Sequence, residues 1–177
     1  MTFFSALWKP KPETETAAKV YLAIVAQARH PRLYLELGAP DTVDGRFDLI
    51  VLHAMLVMRR LRREGEAGKA HAQALFDYMF ADMDRSLREM GVGDMSIGRH
   101  IKNMAKAFYS RAATCEQGLE GDEAALASAL IGILYRTKAP DPARATAMGQ
   151  YLRAIDVDLS AAGLSDILAG KLPWRSP

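Results

Sequence analysis

The groups in this chain that could do chemistry are imidazole, carboxylate, thiol and guanidinium, and their spacing decides whether any of them converge. His53 lies in the most apolar stretch, flanked by Leu49, Ile50, Leu56 and Val57. A haem or metal ligand there needs a second ligand within reach. His30, His71 and His100 are scattered, and none stands at the i,i+4 spacing that sets two imidazoles on one helical face. The expectation is a neutral core histidine with both ring nitrogens hydrogen-bonded. A haem- or quinone-handling pocket around His53 is the competing reading. Asp77, Asp82 and Asp84 raise the question of a di-metal or acid/base site. Asp77 and Asp84 share a helical face and Asp82 does not, and bundle metal sites use Glu-x-x-His pairs that this sequence lacks. A solvated, salt-bridged face is the simpler reading. Cys115, beside Ala112 and Ala113, reads as a small core residue, and no G-x-S-x-G nucleophile motif exists. Gly91-Val92-Gly93 follows a helix rather than a strand, the wrong context for phosphate binding. No catalytic, metal-binding or cofactor-binding residue is assigned, and no cofactor is expected.

Two features read as binding surfaces. Arg59, Arg60, Arg62 and Arg63 close one helix. Cations at a helix C-terminus complement its dipole, so they serve solubility and stability or else contact ribosomal RNA, acidic lipid or an acidic partner. The nine methionines, several near Phe76, Phe80 and Phe108, either fill the core or line a surface that adapts to varied apolar clients.

Composition narrows the classes. The 177 residues are 50% hydrophobic and 25% charged, the balance of an ordinary globular domain. A formal net charge of +2 gives no support to DNA as partner. A single cysteine allows no internal disulfide. The start, Met1 to Ala17, lacks a basic leader, and its apolar piece from Phe3 to Trp8 is short for a secretory signal. A cytoplasmic location, with at most peripheral membrane contact, is therefore expected.

The elements that must position these groups all read as helices, in one all-α domain of six to seven helices spanning residues 16–177 behind a flexible tail of residues 1–15. The first helix is predicted from about Thr16 to Arg29, stopped by Pro31. A turn-rich connection from His30 to Gly45 follows, with Leu33, Tyr34 and Leu37 packing a short helical turn onto the core. Asp44 is the expected N-cap of a second helix to Arg63, apolar almost all round and so central. Further helices are predicted from Gly68 to Met90, with Asp84–Arg88 and Arg85–Glu89 pairs, and from a Ser96 cap to Gln117. Asp122 and Asp141-Pro142 start two more, and a short one covers Ser165 to Ala169.

Three blocks carry a family resemblance: YLAIVAQARHPRLY (residues 21–34), GAPDTVDGRFDL (38–49) and LFDYMFADMDRSLREMGVGDMSIGRHIKNMAKAFYSR (75–111). In this order and spacing they resemble the ubiquinol–cytochrome c chaperone family, with Ser110 standing where the pattern has glycine. The resemblance implies a non-enzymatic assembly chaperone for the respiratory cytochrome bc complex (complex III). Such a chaperone binds newly made cytochrome b before or during haem loading, without a permanently bound cofactor. It also implies a small partner protein and contact with the ribosome. The matched positions expected to bind client or partner are Tyr34, Asp41, Arg46, Phe76, Asp77, Asp82, Arg88 and Tyr109, with Arg46–Asp77 as an internal salt bridge the alternative for those two. A groove near the His30–Gly45 connection and the third and fourth of these helices is the expected cradle. A basic ribosome-associated adaptor, docking through Arg59 to Arg63, is a further reading.

Overall fold

A computed structural model of the chain describes residues 12–136 and 141–177. Among them the regular elements are eight helices: α1 (Pro12–Ala28), α2 (Pro31–Leu35), α3 (Val43–Arg62), α4 (Gly65–Glu89), α5 (Asp94–Glu120), α6 (Glu123–Ile133), α7 (Pro142–Ala161) and α8 (Leu164–Leu168). The all-α reading holds. The count exceeds six to seven because the helical turn expected in the connection forms a helix of its own, α2, while the short final helix is present as α8.

α3 is the axis. Thirteen of its twenty residues are buried, including the run from Val51 to Met58. Such a helix must be covered on every side, and α1, α4, α5 and α7 all pack against it. Around it, α1 lies on α4, and α5, α6 and α7 follow one another as adjacent layers.

Local chemistry sets the helix ends, and three of those that differ from expectation show how. Thr42, not Asp44, caps α3: its hydroxyl accepts the Gly45 N–H at 3.1 Å, and Asp44 falls in the first turn, where its charge suits the dipole. α5 begins at Asp94 rather than after Ser96, whose hydroxyl instead donates to the Gly93 carbonyl at 2.8 Å. α1 begins at Pro12, four residues before Thr16, because proline is tolerated in a first turn and Glu13 and Glu15 favour that dipole end. The remainder of the expected tail, including Phe3 and Trp8, lies outside the described residues. Asp122 and Asp141 cap α6 and α7 as expected, accepting the N–H groups of Ala125 at 2.8 Å and Ala143 at 3.0 Å.

Gly45 allows the entry to α3. A Cβ there would meet the Pro40 carbonyl oxygen at 2.0 Å, so the chain folds back on itself only through glycine. Gly91 takes φ +81° between α4 and α5, the left-handed conformation that ends α4.

The segment after α8 runs back over the first helix. Trp174 donates its indole N–H to the Ala23 carbonyl at 3.1 Å, and Gln27 of α1 donates to the Arg175 carbonyl at 2.7 Å. Arg175 also pairs with Asp158 of α7. Residues 172–176 thus strap α1 to α7.

Candidate client-binding surfaces

The expected residues fall into separate places. The α1–α2 turn and the segment leading into α3 enclose an open pocket of about 500 Å³ lined by Arg29, Pro31, Tyr34, Leu35, Asp41 and Arg46. Three of the sequence candidates meet here. The Tyr34 hydroxyl donates to the Ala28 carbonyl at 2.9 Å, which closes α2 onto the end of α1. Burial pushes the Tyr34 phenol above its ordinary pKa, and the negative charge of Asp41 adds to the shift. Arg46 donates to Asp41 at 2.7 Å, and this hydrogen bond holds the carboxyl of Asp41 below its usual range. Arg46 therefore pairs with Asp41, while Asp77 accepts from Gln73 at 2.7 Å. The pocket sets the exposed apolar side chains of Pro31 and Leu35 beside the charges of Arg29, Asp41 and Arg46.

A second, smaller cleft of about 170 Å³ lies between the C-terminal half of α3 and the facing parts of α4 and α5, lined by Met58, Arg62, Lys69, Gln73, Phe76 and Tyr109, with Ala72 below. Phe76 and Tyr109 stack with ring centroids 5.3 Å apart, over Phe108 and Phe80. Phe108 is buried, whereas Tyr109 is 56% exposed, so the aromatic cluster runs from core to surface. Arg46 and Arg62 are separated by sixteen residues of α3, about 24 Å along its axis. The two surfaces are therefore at opposite ends of the central helix.

The arginine cluster divides. Arg59 meets Asp156 at 2.5 Å and Glu116 at 3.5 Å. Arg60 donates to the Leu159 carbonyl at 2.9 Å and the Ala162 carbonyl at 3.0 Å, satisfying the last turn of α7, and pairs with Glu64 at 2.6 Å. Arg63 donates to the Ser160 hydroxyl at 2.6 Å. Only Arg62 of the four lines the cleft.

The remaining candidates are engaged in local pairs. Asp82 accepts from the Tyr21 hydroxyl at 3.1 Å and from Arg85 at 2.9 Å. That replaces the expected Arg85–Glu89 pair, because Asp82 is already oriented by α1 and lies one turn back. The Asp84–Arg88 pair is present at 2.7 Å, and Arg88 also reaches Asp94 at 2.7 Å across the α4–α5 turn.

His53 is fully buried. Its Nδ1 lies 2.7 Å from the Leu49 carbonyl and its Nε2 2.9 Å from the Tyr151 hydroxyl. A carbonyl can only accept, so Nδ1 carries the proton and Nε2 accepts from Tyr151. Burial lowers the His53 pKa from 6.5 to about 4, keeping the ring neutral. Gln27 donates to the Tyr151 oxygen at 2.7 Å. Both ring nitrogens are thus committed inside the protein, as the core-histidine reading expects. Cys115 is likewise buried, with its thiol pKa pushed up to about 12 by burial.

Sequence reasoning missed one ionic cluster. Asp48, with a side chain 1% exposed, sits between Arg111 of α5 and Arg136, which follows α6. Arg136 donates to it directly. Arg111 Nε lies 2.8 Å from Oδ1, close enough for an ion pair although its N–H is not aimed at that oxygen. Burial raises the Asp48 pKa, and the two arginines oppose the rise. Arg111 also covers the Phe47 ring at 5.1 Å. The one available signal was an acid inside an otherwise apolar helical stripe.

The sequence model of the ubiquinol-cytochrome C chaperone family matches residues 35–174. The chain is 26% identical over 169 residues to the mouse (Mus musculus) ubiquinol-cytochrome c reductase complex assembly factor 1, covering 95% of this chain and 56% of that protein. The Xenopus laevis relative of the same name is 25% identical over 169 residues, 95% of this chain and 83% of that protein. The chain thus spans about half the length of the mouse relative. A crystal structure of the Cbp3 homolog from Brucella abortus superposes with a TM-score of 0.80 at 32% identity, covering 94% of this chain and 92% of that one. The similarity extends past residue 111 through α6, α7 and the strap.

Proposed function

This chain belongs to the ubiquinol-cytochrome C chaperone family, and from that membership we propose that it is an assembly chaperone for the ubiquinol–cytochrome c reductase complex. It acts by binding rather than by catalysis. Its client is newly made cytochrome b, held before or during haem loading, with other complex III subunits as further partners. The observation that carries the reading is the family match over residues 35–174.

The geometry supports a binding role. Emerging segments of a many-helix membrane protein expose apolar surface that must be shielded until insertion. The pocket at Tyr34 and Arg46 and the cleft at Phe76 and Tyr109 each place apolar or aromatic surface beside unburied charge, an arrangement that accepts an apolar segment and orients its polar ends. The candidate groups there are paired with each other, as Arg46 is with Asp41.

Affinity purification after chemical crosslinking in the native host is the test. The expected result is a crosslink between this protein and cytochrome b, together with loss of assembled cytochrome bc complex and of haem b absorbance in a strain lacking the gene. Normal haem b bands in that strain, with no cytochrome b among the crosslinked proteins, would overturn the reading.

A further inference from the structure

The outer face of α5 carries a feature that the chaperone reading does not use. Met95, Arg99, Lys102 and Lys106 recur every three or four residues, so they line one face of the helix, and all four are exposed. From Met95 to Cys115 the chain has four cations, Arg99, Lys102, Lys106 and Arg111, and no acid. Arg111 is turned inward to Asp48. Arg99, Lys102 and Lys106 make no ion pair among the described residues, although most other cations there do. The acids bordering this face are committed elsewhere, Asp94 to Arg88 and Glu116 to Arg59. A chain with a net charge of only +2 thus concentrates positive charge without ion-pair partners on one helix.

At the leading end of the row, apolar side chains project into solvent. Met95 is 100% exposed, and Met90, across the α4–α5 turn, is 64% exposed. From Met95 to Lys106 the row runs about 16 Å, at 1.5 Å per residue.

We propose that this face docks on an anionic lipid surface, with Arg99, Lys102 and Lys106 against the phosphates and Met90 and Met95 entering the headgroup region. Charge complementarity calls for an anionic partner. The projecting methionines select lipid over nucleic acid, because a polyanion in water offers nothing in which to bury them, whereas an interface does. A row of cations on a convex helix also suits a plane. Each cation near such a surface contributes about fivefold in binding. The inference does not depend on which client the protein carries.

Vesicle flotation with the full chain tests it, comparing phosphatidylcholine vesicles with vesicles that also contain phosphatidylglycerol. The expected result is binding only to the anionic vesicles, weakening steeply as salt rises. The combined variant Arg99→Gln, Lys102→Gln, Lys106→Gln should lose binding on the order of a hundredfold while melting like the parent. Met95→Ser should lose several-fold with the same salt dependence. A control pair on other surfaces, Lys19→Gln with Lys171→Gln, should bind as the parent does. No binding to anionic vesicles, or equal binding by the triple variant, overturns the proposal. So does retention on an RNA homopolymer without vesicle binding. Undiminished binding by Met95→Ser overturns the insertion of the tip.

Discussion

The imidazole of His53 and the hydroxyl of Tyr151 meet at 2.9 Å in the centre of the protein, joining α3 to α7. The bond belongs to a chain that runs from the Arg175 carbonyl through the Gln27 amide and the Tyr151 hydroxyl to His53, and ends at the Leu49 carbonyl. Both ring nitrogens of His53, the Tyr151 hydroxyl and the Gln27 amide nitrogen all have partners in it, which favours a unique packing.

That network makes stability depend on pH. The folded protein holds His53 near a pKa of about 4, against 6.5 in the unfolded chain. Between those values the unfolded state binds the proton and the folded state does not, so stability is complete above pH 6.5 and falls as pH drops towards 4. The loss amounts to about 3 kcal/mol. Urea unfolding at pH 7 and pH 4.5 measures it, and His53→Gln should flatten the slope in that window.

Tyr151→Phe removes the donor to His53 and the acceptor for Gln27 without changing the ring. Leaving those buried groups short of partners should cost about 2 kcal/mol. Thermal melting would show the drop, and the fluorescence of Trp174, which lies edge-on to His53 at 5.4 Å, should change with it.

Arg153 of α7 donates to the carbonyls of Leu119 at 2.9 Å, Gly118 at 3.0 Å, Gly121 at 2.7 Å and Asp122 at 2.8 Å, gathering the end of α5 and the start of α6. Arg153→Ala should destabilise by about 2 kcal/mol. Lysine should not restore the loss, since a point charge cannot span the same carbonyls. Hydrogen exchange should rise first at residues 118–126.

Gly45→Ala drives a methyl into the Pro40 carbonyl, 2.0 Å from where the Cβ would stand. The segment from Gly38 to Thr42 must then shift, at a cost of about 1–3 kcal/mol. The pocket at Asp41 and Arg46 should open with it. Limited proteolysis around residues 38–42 reads that opening directly.

Tyr109→Ala separates folding from function. Its ring is more than half exposed, so losing its stacking on Phe76 should cost only about 1 kcal/mol. Recovery of cytochrome b in crosslinked complexes should fall nonetheless. An unchanged yield would remove the Phe76–Tyr109 cleft from the client surface.

Much of the fold was legible because helical periodicity is local. The nearly all-round apolar run of α3 announced the central helix, and Asp122 and Asp141-Pro142 marked two starts correctly. Thr42 was missed because two capping residues, Thr42 and Asp44, stand close together, and only the backbone turn at Pro40 decides between them. The candidate surfaces were less legible. The pocket residues Tyr34, Asp41 and Arg46 lie close in sequence, and the structure brings them together. Arg59, Arg60 and Arg63 looked like a basic patch, yet their partners Asp156, Leu159 and Ser160 are about a hundred residues away in α7, and no local pattern encodes that pairing. The Asp48–Arg111–Arg136 cluster joins three separate elements and was invisible for the same reason.

The strap of residues 172–176 has a consequence for biogenesis. During vectorial synthesis α1 is made long before the strap, so the Arg175 bond of the Gln27 amide and the indole site at Ala23 wait until Trp174 and Arg175 have been polymerised. Until then α1 and α7 are joined by the Gln27–Tyr151 bond without the strap across them. Synthesis of residues 172–176, rather than collapse of the earlier helices, is the event that closes the strap over α1.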